Sequence, residues 1–169
     1  MKFIVSSSTL LKQLSGISGV VSSNHVVPIL ENFLFEISEG NLRVTASDLQ
    51  TSMITELAIE SKESGNIAIP AKILMDTLKN LPEQPVTFTI DSATYGVELS
   101  SEYGRYKLSG ENATDFPKVP VVNDGDTIDM PSDILQKAVS STIFAASTDD
   151  LRPSMTGVYL VINDASTTF

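Results

Sequence analysis

The chain has 169 residues, 41% of them hydrophobic, and 11 basic against 21 acidic side chains give it a net charge of −10; the apolar content suffices for a packed core, and the acid excess argues against a generic polyanion binder without excluding a few lysines gathered on one face. The absence of cysteine excludes disulfides, thiol catalysis and thiolate metal sites. No apolar run reaches the length of a membrane span and the serine-rich start has no signal-peptide core, so a cytoplasmic protein without membrane contact is expected.

In chain order, Met1–Val5 reads as a strand, and Ser8 as the cap of a helix over roughly Thr9–Val21 with Leu10, Leu14, Ile17 and Val21 on one face. Ser22–Pro28 reads as a loop. Leu30–Ile37 alternates as a strand with a slip of phase near Asn32, Ser38–Asn41 turns, and Leu42–Ala46 returns as its hairpin partner. Met53–Ile59 is a further strand. Ile67–Ile69 then starts again as a strand, and Pro70-Ala71 opens a helix over about Ala71–Leu81, closed by Pro82. Val86–Ile90, Tyr95–Leu99 and Arg105–Leu108 read as three more strands. Residues 110–125, rich in Gly and Pro, read as a linker. After it come a strand near Ile128–Met130, a helix over about Asp133–Ala145, a strand over Gly157–Ile162 and a turn at Asn163–Ser166.

One phrase recurs through these elements. Phe3/Val5/Leu10/Leu14, Ile67/Ile69/Leu74/Leu78 and Ile128/Met130/Leu135/Val139 each place two apolar residues at strand spacing and two more at helix spacing. One round is strand, helix, three strands. It occurs twice in full and begins a third time, so an α+β chain of repeated units is expected: a domain over 1–120 and the start of a second over 121–169. An offset of 125 lays Pro28-Ile29-Leu30 on Pro153-Ser154-Met155, Lys12 on Lys137 and Ile37 on Ile162. Less than half of the second domain is covered, so the sequence is read as part of a longer chain.

Catalytic chemistry is hard to find. The single histidine, His25, stands in a Ser/Asn-rich loop without an evident partner, and no Gly-x-Ser-x-Gly, phosphate loop or metal-ligand cluster occurs. No enzyme activity and no cofactor or metal is therefore expected. The lysines are more informative. Lys72 and Lys79 lie two turns apart on the face opposite Leu74 and Leu78, and Lys12 and Lys137 take equivalent outer positions on the first and third helices. Lysine commonly keeps a helix face wet; the functional reading is a helix-lined surface facing a phosphate backbone without reading bases. A β-rich module, extracellular or carbohydrate-binding, is the alternative, but it would favour exposed aromatics, and the chain has no tryptophan and four tyrosines.

Met1-Lys2-Phe3, Pro28-Ile29-Leu30-Glu31-Asn32, Val44-Thr45-Ala46-Ser47-Asp48-Leu49, Ile69-Pro70-Ala71-Lys72, Asp115-Phe116-Pro117 and Asp150-Leu151-Arg152-Pro153-Ser154-Met155-Thr156-Gly157 occur in an order that resembles the bacterial DNA polymerase III beta subunit family, the replicative sliding clamps. The resemblance implies three similar domains per full-length chain, with helices on the inner face and sheets as the outer wall. Two chains would close head to tail into a homodimeric ring around duplex DNA. The ring would be a non-catalytic scaffold giving processivity, with the replicative polymerase, the clamp loader and other clamp-binding peptides as partners. It further implies DNA contacts from the loop holding Asn24 and His25, where relatives often carry a basic residue. Arg152 and Met155 match positions of the partner pocket. The first-domain half of the ring contact is implied around Ile73, Leu74, Asp76, Thr77 and Leu78 and on the strand of Arg105 and Lys107. It also implies that these 169 residues alone would neither close a ring nor hold clamp-binding peptides tightly.

Overall fold

The strand that opens the chain, β1 (Lys2–Ser6), runs without a connecting loop into α1 (Ser7–Ile17). This is a computed structural model describing residues 1–21, 27–119, 128–149, 151–163 and 166–169. By internal contacts the chain divides into Met1–Pro120 and Val121–Phe169.

The helix begins earlier than the serine spacing predicts. Ser6, not Ser8, is the cap, accepting from the Thr9 amide at 3.4 Å. Ser7 is drawn into the interior instead: its hydroxyl donates to the Pro82 carbonyl at 2.8 Å and accepts from the Gln84 amide at 3.0 Å. The helix also stops sooner, at Ile17, and continues as a 3₁₀ turn over Ser18–Val20. Pro28–Glu31, half of it expected as strand, is likewise a 3₁₀ turn. Asn32 explains the slip of phase there. It is buried, and its Nδ2 donates to the Ile29 carbonyl and to Glu111 Oε1, so the turn is tied off before pairing begins.

The remaining strands of the first unit are β2 (Asn32–Ser38), β3 (Asn41–Ser47), β4 (Ser52–Ala58), β5 (Glu60–Ser61), β6 (Gly65–Pro70), β7 (Pro85–Ile90), β8 (Gly96–Ser101) and β9 (Gly104–Ser109), with α2 (Ala71–Lys79) between β6 and β7. The two copies of the repeat exchange their first strands. β1 joins the strands of the second copy in a sheet ordered β5-β1-β7-β8-β9, and β6 joins those of the first copy in a sheet ordered β4-β3-β2-β6. All pairs are antiparallel, with Phe3 opposite Phe88 and Ile69 opposite Phe33. The exchange leaves neither copy able to bury its apolar residues alone.

One core unites both sheets and both helices. Phe3 and Phe88 stack at 4.7 Å between ring centroids and Phe35 of the other sheet tilts against both, a geometry that adds roughly 0.5–1.5 kcal/mol per pair beyond burial. Leu10, Leu14 and Ile17 of α1 and Leu74, Met75 and Leu78 of α2 close over it. The helices pack against each other.

Residues 110–119 are not a linker as far as they are described. Glu111 exchanges two backbone hydrogen bonds with Ala68 of β6 at 2.9 and 3.1 Å, and Phe116 is buried with Ile29, Leu30 and Ala68. One aromatic anchor therefore outweighs the local abundance of Gly and Pro.

In the second unit, α3 (Ser132–Thr142) is followed by 3₁₀ turns at Ile143–Ala145 and Pro153–Met155 and by the hairpin β10 (Val161–Asn163) and β11 (Ser166–Thr168). The expected strand at Ile128–Met130 does not form, and Gly157–Leu160 lie outside β10. None of the described residues of this unit is buried.

Candidate nucleic-acid and assembly surfaces

The apolar stripe of α2 decides what its other face can do. Ala71, Leu74, Met75 and Leu78 are buried, which turns Lys72, Ile73, Asp76 and Lys79 to solvent. Lys79 Nζ lies 3.8 Å from Asp76 Oδ1 with both side chains more than half exposed, a pairing worth at most about 1 kcal/mol and readily exchanged for another anion. Lys12 is exposed on α1, the helix packed beside α2. Lys72 and Lys79 also border a cavity of about 590 Å³ whose other walls include Ser18, Val21 and Pro28. This cavity joins α2 to the end of α1 and to the residues flanking 22–26. Lys137 is exposed on α3 in the second unit. The three helices carry four lysines and two aspartates in a chain whose net charge is −10. Asn24 and His25 lie outside the described residues.

The expected ring contact divides in two. Leu74 and Leu78 cannot meet a partner: both are buried under the sheets as core residues of α2, because the same periodicity that made them apolar aims them inward. Ile73 is 55% exposed and Asp76 is exposed, while Thr77 is half-buried and its hydroxyl donates to the Ile73 carbonyl at 2.8 Å. Arg105 and Lys107 are exposed on β9, alternating with half-buried Tyr106 and buried Leu108. β9 is the last strand of its sheet and contacts α2, so these residues form one neighbourhood with an unpaired strand edge.

The pattern reading missed Tyr103, 70% exposed in the β8–β9 turn beside that edge. An aromatic inside Ser101-Glu102-Tyr103-Gly104 is the signal that pointed to it. It also missed Leu49, which has φ +77° and is exposed at the β3–β4 turn. That turn is held by Asp48 Oδ1, which accepts from the Gln50 and Thr51 amides. In the second unit, Arg152 and Met155 are exposed and linked by the Met155 amide, which donates to the Arg152 carbonyl at 2.9 Å. No group of three or more His, Asp or Glu side chains among the described residues could hold a metal ion, and no helix there is long and apolar enough to cross a membrane.

Residues 1–120 match the family model of the DNA polymerase III beta subunit, N-terminal domain. The chain belongs to the DNA polymerase III beta subunit family. It is 34% identical over 167 residues to the beta sliding clamp of Synechocystis, covering 95% of this chain and 43% of that protein. It is 31% identical over 164 residues to that of Synechococcus elongatus, covering 96% and 44%. Among solved structures, the DNA polymerase III subunit beta of Pseudomonas aeruginosa bound to griselimycin superposes with a TM-score of 0.88 at 28% identity over 96% of this chain and 44% of that one. Caulobacter crescentus pol III beta superposes with a TM-score of 0.88 at 26% identity over 99% and 46%. The chain thus spans less than half the length of these family members, and its fold is that of their first part: repeated strand–helix–three-strand units with helices packed against paired sheets.

Proposed function

We propose that the chain supplies the first domain and the opening of the second in a DNA sliding clamp. Such a clamp is a non-catalytic, cytoplasmic ring that encircles duplex DNA without regard to sequence and tethers the replicative polymerase. The observation that carries the reading is the helix pair. One helix comes from each copy of the repeat, the two lie side by side, and their lysines stand in solvent on an otherwise acidic chain. Lys12, Lys72, Lys79 and Lys137 are point charges on flexible stems. They attract phosphates, fix no register and read no base edge. Weak contacts of that kind hold a ring near the duplex axis while allowing it to move along. Tethering then works through effective concentration, in the millimolar range for a short flexible connection.

Closure is proposed to use the β9 edge, with Arg105 and Lys107, together with Ile73, Asp76 and Thr77 of α2, set against another domain in a head-to-tail homodimer. Arg152 and Met155 are proposed as the part of the partner pocket present here, for the polymerase, the clamp loader and other clamp-binding peptides. Asn24 and His25 are proposed to face DNA from the loop after α1.

The test is a titration of labelled duplex DNA with the 169-residue chain across salt concentrations. Four lysine contacts give an expected slope of log K against log salt on the order of −2 to −4, with no preference among duplex sequences. The variant Lys12→Ala/Lys72→Ala/Lys79→Ala/Lys137→Ala is expected to lose that binding. Equal binding by wild type and variant would overturn the helix-face assignment, and a marked sequence preference would overturn the backbone-only mechanism.

A further inference from the structure

The two copies of the repeat in the first unit treat the outer side of their first strands differently. Ile4 of β1 corresponds to Ala68 of β6, since each stands between two core residues, Phe3 and Val5 in one case and Ile67 and Ile69 in the other. Alternation turns both away from that core. Their strand neighbours correspond as well: Ile4 pairs with Glu60, and Ala68 with Glu111. Ala68 is fully buried, because Ile29 and Leu30 of the turn before β2, and Phe116 from beyond Glu111, close over it. Ile4 is only half-buried. A cavity of about 600 Å³ stands against it, walled by Ile59 and Glu60 and by Glu83, Gln84 and Pro85 at the start of β7. The first copy thus holds a counterpart of the niche that Phe116 fills in the second, without the aromatic plug.

The polar groups of this cavity are open to a ligand. Glu60 and Glu83 are exposed, and neither carboxylate makes a hydrogen bond or ion pair among the described residues. Lys2 and Lys62, the cations nearest to Ile4 and Glu60 in sequence, line no part of it. Gln84 is 7% exposed. Its Oε1 accepts from the Glu102 amide at 3.0 Å, while its Nε2 is buried with no partner among the described residues. A buried donor left open in this way is costly, and an acceptor brought to it removes that cost.

We propose that this cavity is a binding site for a peptide segment that carries an aromatic side chain beside a positive charge. The ring takes, against Ile4, Ile59 and Pro85, the place that Phe116 takes against Ala68. Glu60 and Glu83 hold the charge, and a backbone carbonyl of the segment accepts from Gln84 Nε2. The volume is that of a site for a small ligand or one anchoring side chain. Complementarity of charge selects against acidic segments; Phe116 itself follows Asp115, so the same segment from another copy of this chain is a poor occupant. All the walls belong to the first unit, and the cavity lies at the opposite end of its sheet from β9, which leaves the proposed ring contact free.

The test is a titration of the 169-residue chain with phenylalaninamide, which joins an aromatic ring, an ammonium group and a carbonyl, followed by NMR at methyl and side-chain amide signals. Saturable shifts are expected at the methyls of Ile4 and Ile59 and at the Gln84 amide, with a dissociation constant on the order of 1–10 mM, as suits a ligand of that size. N-acetylphenylalaninamide, which lacks the charge, and alaninamide, which lacks the ring, are each expected to bind at least about fivefold more weakly, and Glu60→Gln/Glu83→Gln is expected to weaken phenylalaninamide by the same factor. Both substituted positions are exposed, so the variant is expected to keep the melting midpoint of wild type. No saturable shift up to about 50 mM, a limit several times the expected dissociation constant, overturns the proposal. So do shifts centred on the cavity beside α2, equal binding of either analogue, and equal binding by the double variant.

Discussion

Gly110 has no room for a side chain. A Cβ there would stand 2.8 Å from Ile67 Cδ1 and 2.9 Å from the Ala68 carbonyl oxygen. The isoleucine tip can shift, but the backbone oxygen is fixed by its hydrogen bond from the Glu111 amide. Gly110→Ala is therefore expected to cost on the order of 1–3 kcal/mol, read as a lowered midpoint in urea with an unchanged slope. At Asp91, Thr94 Oγ1 donates to one carboxylate oxygen at 2.7 Å and the Ala93 amide to the other at 2.9 Å. These bonds, that of Thr94 foremost, hold the carboxyl below its ordinary value of 3.8. A pKa lowered by folding contributes stability that is fully present above the ordinary value and is lost as pH falls through the folded value. Thr94→Val is expected to move the Asp91 titration upward in a carbon-13 NMR experiment, and with it the acid limb of the stability curve. An unmoved titration would show that the Thr94 bond does not set it.

At the scale of elements, the strand–helix phrase was legible because burial of one face imposes its own period on the sequence. Leu10/Leu14 and Leu74/Leu78 are core residues where the spacing placed them. The exchange of β1 and β6 between sheets was not legible, since strand partners are chosen by long-range packing of Phe3, Phe35 and Phe88 and not by any local pattern. The same holds for residues 110–119: composition spoke for a linker, and the single side chain of Phe116 docked the segment. Phe116→Ala is expected to cost about 3–5 kcal/mol by emptying its niche between Ile29, Leu30 and Ala68. Limited proteolysis would then cut near residue 112 before the rest of the first unit. Protection equal to that of wild type would contradict the docking. At the surfaces, periodicity separated exposed lysines from buried leucines on α2. The resemblance-based contact set mixed the two, because a family pattern aligns whole helices and leaves their faces unsorted.

At the scale of the whole molecule, the first unit holds two complementary halves around a single core. It presents sheet residues such as Thr89 facing away from the core on one side and the α1–α2 pair on another. The central claim is that the helix pair, and not the sheets, faces duplex DNA. Photo-crosslinking tests it most directly, with a benzophenone side chain placed in turn at Ser15 on α1, Lys72 on α2 and Thr89 on β7, all exposed positions, and with duplex DNA at low salt. The account predicts crosslinks from positions 15 and 72 that fade as salt is raised, and none above background from position 89. Crosslinking from position 89 that equals or exceeds that of the helices would contradict it.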